Sequence, residues 1–175
     1  MFGTIKALSL NAVWKLKILD DDNKVNGNKL RTYRKLKLEY ETDFFLYLDV
    51  DRSAVSCFVK IRISNSILNI EKGRHLKIPV EQRICPLCKQ EIEDEYHFVM
   101  KCQNLDELRN KFFDEIISVI PQFSAMKNTE KLNYILSSQD LDISKILVIS
   151  VFNMYCNLNK PLKGMQCNIY PLVLS

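Results

Sequence analysis

Only four glycines and five prolines punctuate the 175 residues. That scarcity excludes a fold of many strands joined by tight turns and favours helices linked by short loops. No glycine-rich loop is present to cradle phosphate. No run reaches the roughly 20 apolar residues that a membrane-spanning helix needs. The most apolar stretch, Ile143 to Tyr155, is broken by Lys145 and Asn153. Met1 to Leu10 holds a single Lys and no sustained apolar core ahead of a small-residue cleavage site, so no secretory leader is expected. The chain is therefore expected to be soluble and intracellular, nuclear or cytoplasmic, with no membrane partner.

Apolar residues at 47% and charged residues at 26% describe a globular chain rather than a disordered one. Six cysteines in a reducing compartment point to metal ligation or buried thiols before disulfides. The net charge of +4 conceals an asymmetry. Residues 1–90 hold 17 Lys and Arg against 10 Asp and Glu, whereas residues 91–175 hold 8 against 11. A basic first half suits a phosphate-backbone partner, and it equally suits a solvated helical surface.

Apolar spacing predicts a mostly α fold, a helical bundle or connector with a small zinc knuckle inserted between helices. Residues 1–28 read as a helix from Phe2 to Leu19 followed by a polar linker. Residues 29–82 read as a basic helical region, with helices over Lys29 to Glu41 and Ser53 to Leu68, a short aromatic helix or turn from Phe44 to Val50, and an irregular basic stretch between Gly73 and Pro79. Residues 83–103 form the knuckle. Residues 104–158 form a helical tail that opens with a capping-box-like pair, Asn104 and Glu107. Its first helix carries Leu105, Leu108, Phe112, Ile116 and Ile120 on one stripe, and further helices are expected over Thr129 to Ser137 and Asp142 to Leu158. Residues 159–175 show no period.

One motif carries chemistry. Cys85, Cys88, His97 and Cys102 follow the spacing Cys-x2-Cys-x8-His-x4-Cys. Two thiolates two residues apart can meet one ion at Zn–S distances of about 2.3 Å. Pro86 stiffens the turn between them by fixing its own φ. His97 and Cys102 can come together across a helical turn. Four soft or borderline ligands without a carboxylate describe a closed, structural Zn2+ site. The acidic residues of the loop, Glu91, Glu93, Asp94 and Glu95, surround the site without needing to ligate. Buried thiols, or a redox Cys-x-x-Cys, are the competing readings, and the redox one lacks the βαβ context it needs. Cys57 falls in an apolar helical pattern, Cys156 and Cys167 lie far from a second His, and His75 sits in the basic stretch.

The runs Ile70-Glu71-Lys72-Gly73-Arg74, Ile78-Pro79, Arg83-Ile84-Cys85-Pro86-Leu87-Cys88, Ile92-Glu93-Asp94-Glu95-Tyr96-His97-Phe98 and Lys101-Cys102 resemble the region after the reverse transcriptase of invertebrate non-LTR retrotransposons. The likeness runs from about Leu30 to Leu158 and is most specific between Glu71 and Cys102. It implies a helical connector followed by a zinc knuckle that helps grip RNA or DNA. The Tyr-x-Asp-Asp carboxylates of the polymerase are missing, and nucleotide transfer needs metal ions clamped by such groups. The resemblance therefore implies a truncated copy with no catalytic residue and no enzyme activity.

Two functions follow. In the first the chain binds RNA or DNA with little sequence preference. Lys24, Lys29, Arg31, Arg34, Lys35 and Lys37 are six cations within fourteen residues, with Tyr33 among them to stack on bases. Arg74 and Lys77 belong to a second basic patch near the knuckle. In the second the zinc only pins a loop, and Phe44-Phe45-Leu46-Tyr47 meets a protein partner.

Overall fold

A computed structural model of the chain describes residue 12 and residues 32–37 and 42–158, with the side chains of 44, 46, 157 and 158 outside that description. The expected N-terminal helix, the linker before Lys29, Lys29 and Arg31 themselves, Cys167 and the segment 159–175 lie outside the described residues. The remainder is helical, with the Cys/His cluster set between helices, as the spacing pattern predicts.

A short helix α1 (Tyr33–Leu36) and a 3-10 turn (Phe44–Tyr47) lead into α2 (Arg52–Arg62). Asp51 caps α2, its carboxylate accepting from the Ser53 N–H at 2.6 Å. Ala54, Cys57, Phe58 and Ile61 form its buried stripe. The predicted continuation to Leu68 does not occur. Ser64 takes a left-handed conformation, φ 51°, and the N–H groups of Ser64 and Asn65 turn back to the carbonyls of Ile61 and Lys60. That is a Schellman ending built on serine in place of glycine.

Helix α3 (Asn69–His75) runs into the start of the stretch predicted to be irregular. Gly73 lies inside α3 rather than breaking it, because a Cβ there would sit 2.5 Å from the Arg83 side chain packed over it. Arg83 donates to the carbonyls of Ile70 and Ile78, so it ties α3 to the segment that follows. Lys77, φ 56°, closes α3 with a second Schellman pattern: Ile78 N–H donates to the Gly73 carbonyl at 2.8 Å.

Helix α4 (Asp106–Val119), a 3-10 turn (Pro121–Ala125), α5 (Asn128–Ser137) and α6 (Leu141–Leu158) follow. The predicted capping pair is not formed. Asn104 lies in a 3-10 turn (Gln103–Leu105) that brings the chain from Cys102 to the buried Leu105, and Glu107 pairs with Lys111 instead. A box-like contact appears at α5, where the Lys127 N–H donates to Glu130 at 2.9 Å. Helix α6 buries Ile143, Ile146, Leu147, Val148, Val151 and Met154. It is apolar nearly all round because α2 and α4 both pack on it. Phe58, Ile61, Phe112 and Ile116 complete this core. Among the described residues no helix is long and apolar enough to cross a membrane.

Candidate metal centre

The knuckle is a tight hairpin. Ile84 and Ile92 form an antiparallel bridge, and the Cys85 N–H donates to the Glu91 carbonyl at 2.8 Å. Residues 86–88 turn, and Lys89 completes the reversal with φ 59° while its N–H returns to the Cys85 carbonyl. Two thiols thereby face the inside of one turn.

The other two ligands come from a π-helical turn (His97–Lys101), closed by the Cys102 N–H donating to the His97 carbonyl at 2.8 Å. On an α-helix, residues five apart would point roughly 140° away from each other. Bonding from i to i+5 widens the turn and brings them back to one side, and such turns concentrate at functional sites. The Asp94 carboxylate accepts the His97 N–H at 2.7 Å and so fixes the start of this turn.

The ligand atoms of Cys85, Cys88, His97 and Cys102 all lie within 4.8 Å of one another. Cys85 Sγ and Cys102 Sγ are 3.8 Å apart, and Cys88 Sγ is 3.3 Å from His97 Nε2. Thiolates on a tetrahedral ion at 2.3 Å would stand about 3.8 Å apart. A disulfide would bring the sulfurs to about 2.05 Å, so these are separate thiols. Cys85, His97 and Cys102 are buried and Cys88 is partly exposed. This group can hold a metal ion.

The electrostatics point the same way. Burial pushes the Cys85 thiol up to about 12 and also raises Cys102, since a lone thiolate there would be poorly solvated. For Cys88 burial also pulls upward, but N–H groups of Gln90 and Glu91 and the neighbouring thiols outweigh it and lower the value. A bound cation would offset that cost for Cys85 and Cys102, because a coordinating thiol loses its proton outright.

Two arginines brace the centre. Arg109 of α4 is buried and donates to the carbonyls of Val99 at 2.9 Å and Cys102 at 2.7 Å, with Asp106 as its counter-ion. Arg83 holds the strand entering the knuckle. Glu93 is buried between the two sides. Its carboxylate accepts the Asn69 N–H at 2.6 Å and lies 3.9 Å from Cys85 Sγ, and burial raises its pKa. None of these supporting roles is read out by the spacing motif. Arg109 did leave a signal, because it falls on the apolar stripe between Leu105 and Phe112, where a cation needs partners.

The residues proposed for nucleic acid separate into two groups. Lys35 and Lys77 are exposed, as is Lys72 on α3. The other described ones, Tyr33, Arg34, Lys37 and Arg74, are buried or partly buried. Lys37 is buried and pairs with Asp43 at 2.8 Å. Tyr33 donates to Asp43 at 3.4 Å, and burial first, then Asp43, pushes its phenol up to about 12. Arg34 is half-buried, and Arg74 pairs with Glu71 at 2.9 Å. Asp43 thus draws in Lys37 and Tyr33 of the expected patch, and it also holds the buried Arg62 at 3.2 Å. Arg62 lies over the rings of Tyr33, Phe45 and Phe58. In the aromatic segment Phe45 is buried and Tyr47 exposed. His75 stays outside the metal cluster, beside Arg74. No family model, curated protein or solved structure matches the chain.

Proposed function

We propose that the chain is a non-catalytic module organised by one structural zinc ion, held by Cys85, Cys88, His97 and Cys102. The observation that carries this reading is the convergence of three thiols and one imidazole nitrogen within 4.8 Å. Three thiolates with one imidazole and no carboxylate suit zinc better than a hard cation. Four protein ligands fill a tetrahedral ion, leaving no position where water or substrate could be activated. The ion would link the hairpin to the π-turn, so α3 and α4 would be joined through their arginine braces. Elemental analysis of protein purified without chelator tests this. One zinc per chain is expected, falling to a small fraction in Cys88→Ser. Absence of zinc from the unaltered protein overturns the reading.

A second element of the proposal is weak contact with RNA or DNA. Lys35, Lys72 and Lys77 support it, being exposed cations. If three phosphates are met, log K should fall against log salt with a slope of roughly −2 to −3. Changing all three lysines to alanine should abolish most of that slope. Binding that ignores this change favours the alternative, a structural module or one with a protein partner. The motif resemblance further supports descent from the region after a retrotransposon reverse transcriptase. Polymerase remnants in the flanking genomic sequence would test that origin.

A further inference from the structure

The His97 ring presents one nitrogen to each side. Nε2 faces the thiols, 3.3 Å from Cys88 Sγ, while Nδ1 faces outward, 3.4 Å from Glu91 Oε2. The ring is buried, with 5% of the side chain exposed. A metal on Nε2 of a neutral imidazole leaves the single ring proton on Nδ1. A buried N–H without an acceptor costs about 1–3 kcal/mol. Among the described residues, the Glu91 carboxylate is the acceptor placed to receive it.

Glu91 is itself held in position. Its carbonyl accepts the N–H of Cys85, which ties its backbone to the first ligand. The same Oε2 that meets His97 accepts from Lys101 Nζ at 3.2 Å. Lys101 belongs to the π-turn that carries His97, so one carboxylate spans from the hairpin to the turn. Alanine at 91 would leave the ring free to rotate and present Nδ1 instead.

We infer that Glu91 is a positioning residue of the metal centre: its carboxylate accepts a hydrogen bond from the Nδ1–H of His97 and so commits Nε2 to the ion. This rests on the zinc reading above. Outer partners of metal-bound histidines change affinity by roughly 10–100-fold. The contact is long and Glu91 is half-exposed, so the lower end applies here.

The test uses the full chain loaded with zinc. Zinc affinity is measured by competition with a chromophoric chelator, and the ring nitrogens of His97 are followed by 15N NMR. Glu91→Ala is expected to weaken zinc roughly tenfold and to speed exchange of the Nδ1 proton with water. Glu91→Gln, whose amide oxygen still accepts, should recover part of both. Lys101→Met, which leaves the acceptor in place, should move affinity less than Glu91→Ala. Affinity and proton exchange unchanged in Glu91→Ala overturn the inference while zinc binding stands. Coordination through Nδ1 in the unaltered chain overturns it as well. If the unaltered chain takes up no zinc, both readings fall. Should Glu91→Ala not fold, the Glu91→Gln exchange rate decides: one equal to that of the unaltered chain supports the hydrogen bond, and one no slower than in a chain unfolded by denaturant overturns it.

Discussion

Arg109 reaches from the first turn of α4 to the carbonyl of Cys102, with Nη2 2.7 Å from the oxygen, while its Nε meets the Val99 carbonyl at 2.9 Å. A π-turn shifts its carbonyls out of ordinary helical pairing, and this buried guanidinium supplies donors to the Val99 carbonyl within the turn and to the Cys102 carbonyl just after it. The last metal ligand is therefore connected to the core helix that carries Phe112 and Ile116.

Arg109→Met keeps much of the stem volume but takes its donor from the Val99 carbonyl and leaves the Cys102 carbonyl only the Leu105 N–H, at 3.0 Å. We expect a loss of about 2–3 kcal/mol in urea unfolding, together with weaker zinc retention against a chelator. Glu107→Gln, four residues from Lys111 on the exposed face of the same helix, should stay within about 0.5 kcal/mol. Equal effects from both changes would remove Arg109 from this role.

Chelation should loosen residues 83–109 first. The hairpin gives the core only Cys85, with Leu87, Cys88 and Ile92 at its edge, whereas α2, α5 and α6 keep their own apolar contacts. Hydrogen exchange with and without chelator should show protection lost in the knuckle and the first turn of α4 and kept in α6. Uniform loss along the chain would contradict this.

Asp43 pairs with two buried cations, Lys37 at 2.8 Å and Arg62 at 3.2 Å. Asp43→Asn takes this carboxylate from both cations, and breaking a buried pair costs roughly 3–5 kcal/mol. Urea unfolding would measure it. A cost below about 1 kcal/mol would mean that solvent, not Asp43, compensates these charges.

Gly73→Ala sets two effects against each other. Alanine favours a helix interior by about 1 kcal/mol. Its Cβ would meet the middle of the Arg83 side chain at 2.5 Å, and three hydrogen bonds hold that side chain in place. Overpacking costs about 1–3 kcal/mol, so a net loss near 1 kcal/mol is expected. In an Arg83→Ala background the same change should become neutral or stabilising. A double-mutant cycle without coupling would show that Arg83 moves aside freely.

The Tyr33 phenol is raised to about 12 when folded, whereas in the unfolded chain it titrates near its ordinary value of 10. Its contribution is complete below that unfolded value. Above it the unfolded chain releases the proton more readily, so stability falls as pH rises toward the folded value. Tyr33→Phe should flatten this alkaline decline relative to the unaltered chain. An identical decline in both would assign it to other groups.

The ligand set was legible because metal chemistry is local. Cys85, Cys88, His97 and Cys102 declare themselves by residue type and spacing, whatever the rest of the fold does. Helices α4, α5 and α6 were legible for a similar reason, since an apolar stripe at helical period must be buried somewhere. The sequence by itself therefore determined a mostly helical chain with one four-ligand cluster. Tertiary structure alone decided which cations remain on the surface. Lys35 and Lys37 look alike in the sequence, yet Lys37 turns inward because Asp43, six residues on, is held against Arg62 of α2. Tertiary structure also decided that Gly73 is a packing site and not a breaker, because only the approach of Arg83 reveals why a side chain has no room there. Periodicity records the burial of apolar groups along one element. The burial of a charge depends on partners brought from other elements, and the one-dimensional pattern does not record them.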